Sequence, residues 1–147
     1  MNPGARRAER AGKRALNAFA QRGVPCEVIF TAAPGHATEL ARERGAGVDA
    51  VFTLGGDGTA MEVITALASN GVGPPVGILP GGTGNLLVRS LGIPLNVTRA
   101  VRALLDGEEL RLDLGRLGDG RHFAIGLGVG LDEAMIAGAS RMMKKRT

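Results

Sequence analysis

Residues 51–63 read VFTLGGDGTAMEV, and the rest of the chain is most readily understood from this stretch. The run before Gly55 has the length and the β-branched or aromatic content of a buried parallel strand. The three glycines that follow within four positions allow positive φ and let another molecule approach the backbone. Thr59 can cap a helix whose free N–H groups and dipole favour phosphate. The stretch predicts a strand, a phosphate-binding turn and a helix start.

Asp57 is the one carboxylate in this turn, and it repels bare phosphate. Its presence implies a metal ion or a proton to be removed. A single glycine turn would favour the plainer interpretation, an ordinary strand-to-helix turn with an exposed aspartate. A second turn, PGGTGN at residues 80–85, follows the strand-like run 76–79. Because ligands bind at the carboxyl ends of strands in open α/β sheets, two such loops predict one nucleotide site.

Alternation of strand and helix patterns predicts an α/β fold, a parallel sheet flanked by helices. The predicted strands are residues 26–31, 50–54 and 76–79, and the predicted helices are 5–21, 36–43, 59–69, 83–91 and 96–105. After Gly107 the apolar period changes to two, and Gly118-Asp119-Gly120 predicts a hairpin turn into residues 122–127. We therefore predict a nucleotide-binding α/β domain over 1–106 and the beginning of a β-rich second domain over 107–147.

Composition excludes several classes of protein. The 147 residues contain no apolar run long enough to span a membrane, and the lone Cys26, expected to be buried, excludes an internal disulfide framework. Only 3% of residues are aromatic, which argues against stacking on single-stranded nucleic acid. Neither histidine has metal-ligand spacing with Cys26. The net charge of +4 is concentrated at the two ends of the chain, which suits either a solvated helix face or an anionic partner.

The two glycine loops at this spacing, GGDGT with Glu62-Val63 and then PGGTGN, resemble the diacylglycerol kinase catalytic-domain family, which includes bacterial lipid kinases and sphingosine kinases. The resemblance implies an ATP-dependent, cytoplasmic enzyme that uses Mg²⁺ and phosphorylates a lipid hydroxyl, diacylglycerol first among the candidates. It places the lipid partner at the inner membrane surface and much of the lipid site in the β-rich second domain. It also allows a homodimer and assigns no nucleic-acid partner. The first loop is shared with NAD kinases, so an NAD kinase-like phosphotransferase is one alternative; a non-catalytic nucleotide-binding fragment is another.

The resemblance also assigns site residues. It makes Asp57 the catalytic residue, either as the base for the acceptor hydroxyl or as a holder of Mg²⁺. Asp132 matches an acceptor-side aspartate, although an N-cap role is its alternative. Glu62 has the alternative of an exposed helical glutamate, and Thr31 that of a strand-end hydroxyl. The implied nucleotide-binding set is Asn2, Thr31, Gly55, Gly56, Gly58, Thr59, Glu62, Gly81, Gly82, Thr83, Gly84 and Asn85.

Three departures from the family pattern stand out. The family has an opening strand before its Asn-Pro loop, and the residue before Asn2-Pro3 cannot form it. We expect either that the start of the sequence is clipped or misassigned, or that the sheet is one strand short. Leu86 stands where many members have aspartate, and Met61 where they usually have asparagine. We expect the Leu86 and Met61 departures to alter metal or acceptor handling without abolishing nucleotide binding.

Overall fold

A computed structural model describes the backbone of residues 3–68 and 73–124, with side chains from residue 8 onward. At its centre, strand β1 (Val51–Gly55) pairs in parallel with strand β2 (Val76–Pro80), in a register that joins Val51 to Val76 and Gly55 to Pro80. Five α-helices are described: α1 (Pro3–Ala20), α2 (His36–Arg44), α3 (Asp57–Ala68), α4 (Leu86–Ser90) and α5 (Val97–Asp106). A 3₁₀ turn over Gly45–Gly47 follows α2. The predicted fold class, a parallel sheet flanked by helices, is confirmed.

Helices α1 and α5 cover one face of the strand pair. The Phe19 and Phe52 rings meet edge to face with centroids 4.7 Å apart. A Cβ added to Gly77 would lie 2.3 Å from Cδ1 of Phe52, so the ring occupies the place of a side chain on β2. Large aromatic rings bury much apolar area, and this one fixes how α1 lies over both strands. The buried members of this cluster are Ala15, Ala18, Phe19, Leu79, Ala100 and Val101.

Helices α2 and α3 cover the opposite face of the strand pair. Successive residues of a strand point to opposite sides, so alternate side chains of the strands meet these two helices. Val51 and Val76 contact this second cluster, whose buried members are Ala37, Ala41, Val63, Ala66 and Leu67. Three of these five are alanines, which lets the helices approach the strands closely. A third cluster of Ala60, Ile78, Leu87 and Val88 joins α3, β2 and α4. Helix α4 therefore packs directly on strand β2 and helix α3.

The predicted strand over residues 26–31 is wrong, because this segment is paired with no strand in the described part of the chain. Val28 and Ile29 are each 41% exposed and Phe30 is 65% exposed. Cys26, which we expected to be buried, is also exposed. β-Branched composition favours an extended backbone, but a strand also needs a neighbour. β1 offers one edge to β2, and no described strand takes its other edge.

The predicted hairpin is present, and the part of it that the structure describes is short; residues 125–127 of the predicted second strand lie outside the described residues. Strands β3 (Gly115–Arg116) and β4 (His122–Phe123) pair antiparallel around a turn in which Gly120 has φ +86°. The alternating Leu110 and Leu112 are 71% and 51% exposed and lie outside any strand. Their alternating pattern does not make a strand here, since no described strand pairs with that segment. Helix α5 ends at Asp106, where the domain boundary was predicted; the boundary itself stays a prediction.

Candidate functional site

The two glycine loops touch each other through their backbones. The Gly81 N–H donates to the Gly55 carbonyl at 2.9 Å. A Cβ added to Gly81 would lie 2.8 Å from the Gly55 nitrogen, and one added to Gly82 would lie 2.5 Å from the Gly56 Cα. Real Cβ atoms do not approach backbone so closely, so these glycines permit the contact. The loops expected to converge at the carboxyl ends of adjacent strands do so.

Asp57 joins the two loops through its side chain. It is the first residue of α3, and its Oδ1 accepts a hydrogen bond from the Leu87 N–H at 2.9 Å. That N–H belongs to the first turn of α4, where the preceding Asn85 makes no side-chain cap. The other carboxylate oxygen of Asp57, Oδ2, faces Gly84, and a Cβ added to Gly84 would lie 3.4 Å from it. The carboxylate thus stabilises the start of α4 with one oxygen, as an N-cap residue would.

Asn85 closes the second loop upon itself. Its Oδ1 accepts from the Gly82 N–H at 2.9 Å, and its Nδ2 donates to the Gly82 carbonyl at 2.8 Å. Its backbone has φ 50° and ψ 48°, a left-handed conformation that asparagine tolerates better than most residues. This closed turn explains why α4 begins at Leu86 rather than at the predicted residue 83. Thr83 and Gly84 are exposed on the outside of the turn.

Gly58 is the open member of the first loop. Apart from its chain neighbours and the backbone of its own helix, no atom lies within 4 Å of a Cβ built on it, and the residue is exposed in the first turn of α3. Thr59, predicted to cap this helix, instead lies inside it, because α3 begins two residues earlier at Asp57. The Thr59 side chain packs on Gly55, where an added Cβ would lie 2.9 Å from the Thr59 Cβ. Packing therefore explains Gly55, while the space around Gly58 is left clear.

Glu62, on α3, contacts the loop that precedes α2, and Thr31 lies in that loop. The Glu62 Oε1 accepts from the Gly35 N–H at 3.0 Å, which ties α3 to the start of α2. Thr31 is exposed and precedes Ala32, whose N–H donates to His36 Nδ1 at 3.0 Å. Sequence reasoning did not find these contacts, nor the bond from the Leu87 N–H to Asp57. The sequence signal available for the Gly35 contact was the Pro34-Gly35 pair, which indicates a turn just ahead of a helix.

The remaining predicted site residues, Asn2 and Asp132, lie outside the described residues. In residues 3–68 and 73–124, no three His, Cys, Asp or Glu side chains come together as a metal site. Asp57 therefore lies beside the loops without two further such side chains grouped with it in the part of the chain that the structure describes. That suits Mg²⁺, which proteins commonly hold with one or two carboxylates while phosphates and water complete the coordination.

Comparison with known proteins accounts for this pairing of loops. Residues 1–117 match the sequence profile described as "Diacylglycerol kinase catalytic domain". The chain belongs to the diacylglycerol kinase catalytic domain family. The match includes both glycine loops and all of the described helices.

Individual relatives in this family are similar over most of the chain. It is 36% identical over 110 residues to "Probable lipid kinase YegS" of Salmonella heidelberg strain SL476, which covers 73% of the chain and 37% of that protein. The protein of the same name from Salmonella arizonae is 35% identical over 114 residues, covering 76% of the chain and 38% of that protein. The chain thus spans a little over a third of the length of these curated relatives.

Solved structures agree with the fold. The crystal structure of a diacylglycerol kinase from Bacillus anthracis strain Sterne superposes with a TM-score of 0.71 at 29% sequence identity. The superposition covers 78% of this chain and 40% of that chain. Among the helices that the structure describes, none combines the length and apolar character needed to cross a bilayer.

Proposed function

We propose that this chain is the nucleotide-binding part of an ATP-dependent lipid kinase, which transfers the γ-phosphoryl group of ATP to the hydroxyl of diacylglycerol and forms phosphatidic acid. One observation carries the proposal. Two glycine loops meet backbone to backbone at the ends of adjacent parallel strands, with a carboxylate joining them and an unobstructed glycine beside it. Phosphoryl transfer requires little more from a protein than held phosphates, neutralised charge and an aimed hydroxyl.

The first turn of α3 is the proposed phosphate site. The first N–H groups of any helix have no partner within the helix; here the bond from the Ala60 N–H to the Gly56 carbonyl begins the regular series. The N–H groups ahead of Ala60, including that of Gly58, therefore face the end of the helix. Together with the positive end of the helix dipole they attract anions. The open space at Gly58 lets a phosphate reach them.

Asp57 is the proposed catalytic residue. In the transfer step, the acceptor hydroxyl oxygen bonds to the γ-phosphorus, and the bond from that phosphorus to the β–γ bridging oxygen breaks. ADP leaves, and the hydroxyl proton passes to Asp57 if it acts as the base. Mg²⁺, if bound beside the same carboxylate, would neutralise charge on the phosphates. Because one Asp57 oxygen is held by the Leu87 N–H, the other has a defined orientation for either role.

The proposal that the acceptor is a lipid rests on the names of the relatives. Relatives called lipid kinase and diacylglycerol kinase match this chain over about three quarters of its length. A lipid hydroxyl is presented at a membrane surface, so we propose that the whole protein works there. The Pro80–Asn85 loop favours this acceptor over NAD, since the resemblance to NAD kinases extends only through the first loop.

The test uses the natural full-length polypeptide that contains this sequence. It is incubated with γ-labelled ATP and Mg²⁺ in the presence of diacylglycerol micelles or of NAD, and the products are separated. We expect label in phosphatidic acid and none in NADP. Label in NADP alone would replace the lipid kinase by an NAD kinase, and nucleotide binding without transfer to either acceptor would leave a binding module.

A further inference from the structure

Glu62 contacts a different part of the protein from the one assigned to it by resemblance. It lies in the second turn of α3, and its carboxylate accepts the Gly35 N–H at 3.0 Å. Its backbone carbonyl lies 3.5 Å from the Thr38 hydroxyl, which donates to it. Both contacts are made to the start of α2. Glu62 thus links α3 to the N-terminus of a neighbouring helix.

The start of α2 needs such a partner. Gly35 occupies the N-cap position with φ 87° and ψ −23°, and glycine offers no side chain for a cap. In a capping box, a glutamate at the third helical position accepts the N–H of the N-cap residue. Here that third position is Thr38, whose side chain is shorter than that of glutamate and whose hydroxyl donates to the Glu62 carbonyl. Glu62 supplies the missing acceptor from another helix.

The other end of the same loop is fixed as well. The Ala32 N–H donates to His36 Nδ1 at 3.0 Å, and the His36 N–H donates to the Ala33 carbonyl at 3.2 Å. Residues 31–35 are therefore held between His36 on one side and Glu62 on the other. Because Glu62 is only five residues beyond Asp57 on α3, about 7.5 Å along the helix axis, this loop is tied to the glycine loops by one rigid element.

We infer that Glu62 is a positioning residue, which holds the Thr31–Gly35 loop against α3 so that this loop forms one wall of the nucleotide site. The inference rests on the proposed function in so far as that site binds ATP. A carboxylate facing phosphates would repel them, whereas a carboxylate committed to the Gly35 N–H does not need to contact the ligand. Glu62 then acts through the loop and through Thr31.

The test compares Glu62→Gln with Glu62→Ala in the natural full-length polypeptide. Glutamine keeps the acceptor oxygen and removes the charge; alanine removes both and favours the helix, so the fold is retained. The readouts are the Kd for ATP and the hydrogen exchange of residues 32–36. Glu43→Ala on α2, an exposed glutamate, is the matched control.

We expect Glu62→Ala to weaken ATP binding and to accelerate exchange at Gly35, each by about three- to tenfold, the usual worth of one hydrogen bond. Glu62→Gln should stay within about twofold of wild type in both, since an amide oxygen also accepts such a bond. In turnover assays the loss for alanine should appear in KM for ATP rather than in kcat.

Two outcomes would overturn the inference. Equal losses of ATP affinity in both variants would mean that the negative charge of Glu62 contributes directly to binding. Faster exchange at Gly35 with unchanged ATP affinity would mean that the hydrogen bond from Gly35 to Glu62 is structural only. Failure of the lipid kinase proposal is a separate result, because neither readout uses a lipid: ATP binding with no lipid phosphorylation leaves this inference standing. A wild-type protein that binds no ATP would overturn both.

Discussion

The first and second glycine loops are alike in sequence, yet their glycines serve different ends. In the second loop, a side chain at Gly81 or Gly82 would collide with the backbone of the first loop. In the first loop, a Cβ added to Gly58 would meet nothing within 4 Å beyond its chain neighbours and the backbone of its own helix. Packing within the protein therefore requires glycine at Gly81 and Gly82, whereas at Gly58 packing gives no reason for it.

This difference distinguishes glycines that the fold requires from a glycine that a ligand requires. A glycine that costs helix stability at an unobstructed position suggests that something outside the protein needs the space. Gly58 meets that description, since it lies within α3. Gly82 does not, because the loop contact alone accounts for it. Mutations in the two loops should therefore affect stability and nucleotide binding differently.

The largest expected effect is on catalysis by Asp57→Asn. Asparagine keeps an oxygen that can accept from the Leu87 N–H, so the link between the loops should remain. Loss of the carboxylate should lower kcat by about 10²–10⁴, the usual range for a general base. ATP affinity should be kept or improved, because repulsion of phosphate falls. Steady-state kinetics and ATP titration of the full-length enzyme provide the check.

The matched variant Asp57→Ala removes the acceptor too, so it separates the two roles of this residue. It should lose stability by about 0.5–2 kcal/mol, as cap removal does, whereas Asp57→Asn should lose little. An unchanged kcat in Asp57→Asn would remove the residue from the mechanism and leave the first loop as a binding loop only.

Gly82→Ala should have the next largest effect, and it should act on both properties. The added methyl group would sit 2.5 Å from the Gly56 Cα, so the loops must separate. Overpacking of this kind costs about 1–3 kcal/mol of unfolding free energy. Urea denaturation measures this loss, and ATP affinity should fall with it. Gly47→Ala is the control, because no atom lies within 4 Å of its Cβ position; an equally stable Gly82→Ala protein would show that the loops do not touch in solution.

Gly58→Ala should show the opposite combination. Alanine is favoured over glycine inside a helix by up to about 1 kcal/mol, and this position has room for it. Unfolding free energy should therefore stay level or rise. ATP affinity should nevertheless weaken by at least about tenfold, since the methyl group would occupy the proposed phosphate approach. Unchanged affinity in this variant would erase the functional distinction between the loops and count against the phosphate site.

A strand-like run in this sequence forms a strand only where a second run of the chain pairs with it. The runs 50–54 and 76–79 each precede a glycine loop and pair with one another, so their prediction as strands is confirmed. Residues 26–31 have the same apolar character but pair with no described strand. Local composition indicates an extended backbone in both cases, and only tertiary neighbours decide whether a strand forms.

The candidate site shows the same limit. Convergence of the loops follows from strand order alone, so the sequence was enough to predict it. The bonds from the Leu87 N–H to Asp57 and from the Gly35 N–H to Glu62 cross 30 and 27 residues. Backbone N–H groups carry no residue-type signal, so no motif identifies them as partners. Their discovery requires coordinates.

The smallest expected effect comes from a contact remote from both loops. Arg22, in the turn after α1, donates to Asp106 at the end of α5, with Nη1 and Oδ2 2.9 Å apart. The guanidinium, through this hydrogen bond, lowers the pKa of the Asp106 carboxyl below its ordinary 3.8. Both side chains are substantially exposed, so the pair is screened by salt and contributes little.

Asp106→Asn should therefore lower the unfolding free energy slightly at pH 7 and low salt. Because the folded pKa is depressed, the contribution of Asp106 is fully present above pH 3.8 and is lost as pH falls through the folded pKa. The difference between wild type and variant should accordingly vanish in acid and in high salt. ATP affinity should not change, and this makes the variant a control for the loops: a small loss of global stability that also weakened ATP binding would mean that affinity follows stability in general. Only an unchanged affinity here allows the contrasting results at Gly82 and Gly58 to be interpreted loop by loop.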